Sequence, residues 1–293
     1  MAWLQLSVLS HHPEFAEEIL LAHGAQSVSF LDAADDPVLE PAPGETPLWP
    51  RTRTVGLFGA RHNLAPLVAA LRETLPDGAA AIITSAALAD REWVKIWLRD
   101  WKPLRFGRRL WVSPLAKRAE IRDASAVIVL LDPGLAFGTG THPSTALCLQ
   151  WLARAKLKGK TVLDYGCGSG LLGIAALKLG AARVTAVDID PQALTASMDN
   201  ARRNRVAGRL KVLAAENLRG GKFDVVLANI LANPLIELAP RLAALAAPGA
   251  HLVLPGVLKR QVDEVRAAYR REFRFLPPAL KEGWASLRGR RKK

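Results

Sequence analysis

Asp164-Tyr165-Gly166-Cys167-Gly168-Ser169-Gly170 follows the apolar run Thr161-Val162-Leu163 and precedes a helical pattern from Leu171 to Leu179. This order reads as strand, glycine turn, helix. Glycine lets a backbone come close to a ligand because no side chain intervenes. The open amides of the following helix N-terminus then point at that ligand. Asp188 lies 22 residues after Gly166, at the end of the next apolar run, Val184-Thr185-Ala186-Val187. A carboxylate there can accept from both ribose hydroxyls of a nucleoside. The stretch therefore predicts an α/β unit that binds a nucleoside cofactor.

The spacing alone leaves the cofactor open. Gly168-Ser169-Gly170-Leu171-Leu172-Gly173 also fits the dinucleotide pattern G-x-G-x-x-G, a weak signal by itself. Two features favour S-adenosylmethionine over NAD. Asp164 stands ahead of the first glycine, where a carboxylate suits an α-ammonium and repels a pyrophosphate. Further on, Phe223-Asp224-Val225-Val226-Leu227-Ala228-Asn229 reads as a strand ending in a polar amide. Strand-end side chains converge at the ligand crevice of an open parallel sheet.

The 293 residues leave room for two domains. The two cysteines, Cys148 and Cys167, make no disulfide framework, which suits a reducing compartment. No signal peptide or membrane-spanning run is apparent, so a soluble cytoplasmic protein is expected. No zinc-type ligand set is visible, and His11-His12 does not have metal spacing. The net charge of +13 is unevenly spread. Residues 1–50 hold eight carboxylates and no Lys or Arg, which leaves +21 on the remainder. The acidic segment would attract a basic protein and repel RNA. The basic remainder could face ribosomal RNA, or be a solvated arginine-rich surface.

Along the chain, strands are expected at Trp3–Val8, Gln26–Leu31, Arg53–Phe58 and Ala80–Ser85, with helices at Pro13–His23 and Leu64–Leu75. The order matches a ferredoxin-like α+β sandwich. A helix over Asp90–Trp101, with Trp93, Trp97 and Trp101 on one face, reads as packing between domains. Leu104–Val112 and Ala126–Leu131 read as single strands. Strands and helices alternate from Leu157 onward, implying a mostly parallel sheet. The last strands fall near Phe273–Phe275 and Trp284–Arg288. The basic tail Arg288–Lys293 is expected to fray.

Asp132-Pro-Gly-Leu-Ala-Phe-Gly-Thr-Gly-Thr-His-Pro-Ser-Thr145 resembles the signature of the ribosomal protein L-eleven methyltransferase family, PrmA. Arg91-Glu-Trp93, Arg105–Trp111, Asp164–Gly170, Val187-Asp-Ile-Asp-Pro191 and Ala228-Asn-Ile-Leu-Ala232 resemble it as well. The resemblance implies a seven-stranded class I, Rossmann-like methyltransferase domain behind a small ferredoxin-like domain. The boundaries it suggests are 1–88 for substrate recognition, 89–112 for a linker helix and strand, and 113–293 for the S-adenosylmethionine-dependent domain. It implies methylation of the N-terminal α-amine and lysine ε-amines of the large-subunit ribosomal protein, up to trimethylation. A monomer that acts on neither DNA nor membrane is expected. An RNA or small-molecule methyltransferase with the same core is the alternative.

The resemblance also carries cofactor contacts to Thr145, Gly166, Asp188 and Asn229. Asp164, Gly168 and Gly170 join them from the loop reading. Phe137, Gly138 and Thr139 belong to a glycine-rich segment expected to fold over the methionine end of the cofactor. Asn229 is the expected catalytic residue, its amide oxygen orienting the acceptor amine. Amide-modifying relatives carry Asn-Pro-Pro-Tyr there, whereas this chain reads Asn229-Ile-Leu-Ala, which favours a flexible amine. His142 has no visible partner and reads as structural. Asp190, beside Pro191, suits a helix cap and leaves Asp188 for the ribose.

Overall fold

Alternation in Trp3–Leu9 (β1) sends Leu6 and Val8 to one face, and both are fully buried. The computed structural model describes residues 3–34, 49, 51–88, 102–131 and 140–293. The chain divides into two units, residues 1–95 and 96–293. The expected helix at Asp90–Trp101 and the segment Phe137–Thr139 lie outside the described residues.

In the first unit β1 is followed by helix α1 (Pro13–Ala22), β2 (Ser27–Asp32), β3 (Thr52–Gly59), α2 (Ala65–Thr74) and β4 (Ile82–Leu88). The sheet order is β2-β3-β1-β4, with every pairing antiparallel. This is the ferredoxin-like arrangement expected from the sequence. Gly24, at φ +85°, ends α1 in a conformation that suits glycine. Leu6, Val8, Leu20, Phe58, Leu67 and Leu71 form the core between helices and sheet. Burying each such side chain contributes roughly 1.5–3 kcal/mol.

The second unit opens with a difference from the sequence reading. Leu104–Val112, expected as one strand, instead forms a hairpin of β5 (Leu104–Phe106) and β6 (Leu110–Ser113). Gly107, at φ +60°, makes the turn. β7 (Val127–Leu130) pairs parallel with β6. Phe106, Leu110 and Val112 enter the core of this unit, so the expected linker strand packs as part of it.

The main sheet then builds from β8 (Thr161–Tyr165), β9 (Arg183–Asp188), β10 (Leu210–Ala214), β11 (Phe223–Ala228), β12 (Ala246–Leu258), β13 (Phe273–Phe275) and β15 (Trp284–Arg291). Their spatial order is β10-β9-β8-β11-β12-β15-β13, and the three-residue β14 (Ala279–Lys281) pairs with β15. β15 runs antiparallel to both its main-sheet neighbours, while the other main-sheet pairings are parallel. Helices α3 (Pro143–Leu152), α4 (Leu171–Lys178), α5 (Pro191–Arg203), α6 (Ala232–Glu237), α7 (Ala239–Leu245) and α8 (Val262–Tyr269) complete the unit.

Successive residues of the central strands point to opposite faces. Val162, Val225 and Leu227 join one core, while Leu163, Val226 and Ala228 join the other. A sheet covered on both faces explains why these strands read as continuous apolar runs.

The basic tail does not fray as expected. Arg288–Arg291 continue β15 against β12 and β13. The Arg291 guanidinium meets Glu272 at 2.7 Å, and the Lys292 backbone amide donates to Glu272 O. Its backbone completes a sheet, while the Arg291 guanidinium lies over the Phe273 ring. Among the described residues, no helix is long and apolar enough to cross a membrane.

Candidate active site

The parallel order reverses at β8, which lies between β9 and β11. Such a switch point opens a crevice at the carboxyl ends of the strands. The glycine loop after β8, Asp188 at the end of β9, and Asn229 just past β11 all emerge there.

The loop needs its glycines. Gly166, Gly168 and Gly170 sit at φ +73°, +52° and +76°, a region that costs other L-residues roughly 1–2 kcal/mol each. A Cβ on Gly166 would collide with Ile230 Cγ2, and one on Gly170 would stand 2.9 Å from Ser197 Oγ. The Gly166 and Cys167 amides both donate to Val187 O, folding the loop back over the end of β9.

Neighbouring side chains hold the loop. Asp188 Oδ2 accepts from Gly168 N at 2.8 Å, and Oδ1 accepts from the Ile189 and Asp190 amides. Asp188 thus has a structural duty as well as the ribose role expected of it. Asp190 caps α5 by accepting from Gln192 N at 2.8 Å, as its place beside Pro191 suggests. On α5, Ser197 Oγ donates to Gly168 O and Asn200 Nδ2 donates to Ser169 O. Sequence reasoning missed these two residues. Their signal was present: small polar residues at i and i+3 on the inward face of an amphipathic helix, between the buried Ala193 and Ala201.

Asp164 differs from the expected strand-end carboxylate. It is 0% exposed, beneath the loop, with Oδ2 accepting from Gly173 N at 2.8 Å. Oδ1 is buried with no hydrogen-bond partner. Burial pushes its pKa up to about 7, against the Gly173 amide, with the Asp188 charge adding to the rise. At neutral pH the carboxyl is therefore partly protonated until a cation meets it. Cys167 is buried beside Ser197 Oγ at 3.3 Å, and its thiol is pushed up to about 12, chiefly by burial. That excludes a thiolate nucleophile at neutral pH.

Thr145 lies in the first turn of α3, 4% exposed, and its Oγ1 accepts from Asn229 Nδ2 at 3.1 Å. His142 caps the same helix. Its Nδ1 lies 2.7 Å from Ser144 Oγ and 3.3 Å from Ser144 N, and its ring packs edge-on against Trp284. Burial lowers its pKa.

The site fits S-adenosylmethionine. The glycine cradle gives close backbone approach and the Asp188 carboxylate offers acceptors, while Asp164 Oδ1 lies unpartnered beneath the loop. Leaving such a buried acceptor unmet costs about 1–3 kcal/mol.

Comparison with known proteins agrees. A family model described as "Ribosomal protein L11 methyltransferase (PrmA)" matches residues 2–292. A protein of that name from Methylococcus capsulatus is 51% identical over 294 residues, covering 99% of both chains. Another from Aeromonas salmonicida is 49% identical, also over 99% of both. A crystal structure of the ribosomal protein L11 methylase from Lactobacillus delbrueckii subsp. bulgaricus aligns with a TM-score of 0.61 and 33% identity, over 66% of this chain and 100% of that one. The sheet is thus that of a class I methyltransferase using S-adenosylmethionine, and the chain belongs to the ribosomal protein L11 methyltransferase (PrmA) family.

Proposed function

We propose that this enzyme methylates the N-terminal α-amine and lysine ε-amines of the ribosomal protein named by its family, up to trimethylation. The observation that carries the reading is the convergence of the glycine loop, Asp188 and the Asn229–Thr145 pair at one switch point. When bound, S-adenosylmethionine supplies a methyl group already activated by its sulfonium.

Gly166, Gly168 and Gly170 would hold the cofactor by their backbone, and Asp188 by its remaining acceptor capacity toward the ribose. Asp164 Oδ1 would take a donor from the methionine end. Thr145 fixes Asn229 by accepting from Nδ2, which directs Oδ1 to the acceptor amine. Asn229 Oδ1 accepting from that amine orients its lone pair, and alignment of this kind supplies up to ~7–11 kcal/mol. A free lysine has a pKa of about 10.4, and its ammonium has no lone pair. Burial of the amine beside the sulfonium would lower that value through desolvation and like charge, so that the proton can leave to water without a dedicated base.

Residues 1–88 are the proposed recognition module and 113–293 the catalytic domain, with the β5–β6 hairpin of the expected 89–112 linker packed into the core of the latter. With eight carboxylates and no Lys or Arg in residues 1–50, the module complements a basic ribosomal protein. A ribosomal substrate puts the reaction in the cytoplasm, with the enzyme acting as a monomer on neither DNA nor membrane. The test is incubation with methyl-labelled S-adenosylmethionine and free ribosomal proteins. Label on one ribosomal protein, at amines mapped by mass spectrometry, is the expected result. Label in RNA instead would overturn the reading.

A further inference from the structure

The six-residue acidic excess of residues 1–95 (12 Asp and Glu against 6 Lys and Arg) contrasts with 34 basic against 15 acidic residues in 96–293. Part of that positive charge is concentrated at one place. A cavity of about 730 Å³ opens at the amino ends of the parallel strands, away from the glycine loop. Lys160, just before β8, Asp224 at the start of β11, and His251, which pairs with Val225, line its floor. The last turn of α3 forms one wall with Trp151, followed by Arg154 and Lys156. Arg288, Arg290 and Lys293 line the cavity from the C-terminal end of the chain.

The charges are poorly neutralised. Lys160 pairs with Asp224 at 2.9 Å, and Asp224 is the one acidic side chain lining the cavity. Among the described residues, the side chains of Arg154, Lys156, Arg290 and Lys293 make no hydrogen bond or ion pair. Arg288 spends one terminal nitrogen on Pro277 O at 2.8 Å, while its Nε is buried without a partner. His251 has a lowered pKa, first from burial and then from Arg290 and Lys160. The cavity thus carries a positive field.

Its shape and surface select among anions. Arg154 and Lys156 follow α3, Arg290 lies in β15 and Lys293 just beyond it, so the unpaired cations are spread over two segments of the chain, which suits charge distributed along a polymer better than one compact anion. Trp151 is half-buried with its ring edge-to-face on His251 at 5.5 Å between centroids, giving an aromatic surface among the cations. Gly249, at φ +73°, lines the cavity with open space where a Cβ would be, so a ligand can approach the backbone. A basic groove with aromatic faces and close backbone approach is the chemistry that tracks a single-stranded nucleic acid. An acidic peptide would use the cations but not the aromatic pair.

We propose that this cavity binds single-stranded RNA through its phosphodiester backbone, at a site separate from the methyl-transfer crevice. α3 joins the two places. Its first turn carries Thr145 and its last turn Trp151, two residues before the cap Ala153, and helical rise separates the two side chains' positions by about 9 Å. An RNA-associated substrate could in this way be engaged at two ends of one domain.

The test uses the full-length protein and a labelled RNA of about 16 nucleotides, with anisotropy measured across a salt series. The variant Arg154→Ala/Lys156→Ala/Arg290→Ala is expected to lose affinity by about tenfold or more and to lower the salt slope by roughly 2. A control triple, Arg118→Ala/Arg183→Ala/Lys211→Ala, removes equal charge elsewhere and is expected to bind nearly as wild type. Equal losses in the two triples, no loss in the first, or displacement of RNA by polyglutamate of equal charge would each overturn the proposal. Methylation of the free ribosomal protein, measured on the same variants, checks that they fold and tests the catalytic reading separately.

Discussion

Asn229 Nδ2 donates to Thr145 Oγ1 at 3.1 Å, tying the end of β11 to the first turn of α3 across 84 positions of sequence. The bond fixes which end of the Asn229 amide faces Thr145. Asn229→Ala should therefore lower the methyl-transfer rate by about 100-fold, while cofactor affinity measured by calorimetry changes far less. Thr145→Val keeps the shape and removes the acceptor; it should lower kcat in the same direction, and Thr145→Ser should restore it. Equal losses in rate and cofactor affinity for Asn229→Ala would refute the orienting role.

Gly166 and Gly249 share φ +73° but differ in surroundings: a Cβ at the first meets Ile230, and one at the second meets nothing. Gly249→Ala should cost only the backbone strain, about 1–2 kcal/mol. Gly166→Ala should cost more and weaken cofactor binding as well. Urea denaturation of both variants, compared with cofactor titration, separates strain from collision.

Asp188→Ala removes the acceptor of the Gly168, Ile189 and Asp190 amides along with the proposed ribose contact. Cofactor affinity should fall by at least about tenfold, the loss of one charge-assisted hydrogen bond. Asp188→Asn keeps an acceptor for the loop and should fall in between. Unchanged affinity by calorimetry in Asp188→Ala would remove Asp188 from the ribose site.

Asp164 gives a pH dependence of known sign. Free aspartate titrates near 3.9, and the folded protein holds Asp164 at about 7. The native state therefore binds this proton more tightly than the unfolded chain. The resulting stability is fully present below about pH 4 and is lost as pH rises to about 7. In cofactor-free protein, Asp164→Asn should flatten this decline while still accepting from Gly173 N. Denaturation at pH 5 and pH 8 measures it; parallel declines in both proteins would contradict the buried-acid assignment.

Much of the second unit is legible because it is doubly wound. Leu163 and Val226 sit in runs with no polar alternation, which reads as a strand covered on both faces. The glycine loop, Asp188 and Asn229 announce themselves by falling at strand ends. Residues 104–113 were harder, because the turn at Gly107-Arg108-Arg109 interrupts an apolar run only briefly. Arg288–Arg291 look like a solvated tail because sheet formation there is set by backbone pairing with β12 and β13, which composition does not record. The depth of Asp164 is equally invisible in spacing: only the packing of α4 and the loop over β8 removes it from water. The Thr145–Asn229 bond joins residues too far apart in sequence for any local pattern to report.

Ser197 and Asn200 reach from α5 to the carbonyls of Gly168 and Ser169, while Asp188 secures the Gly168 amide. The curvature of the cradle is thus written into the following βα unit. Substitutions on the inward face of α5 should then change affinity for the methyl donor through the stiffness this helix lends to the loop.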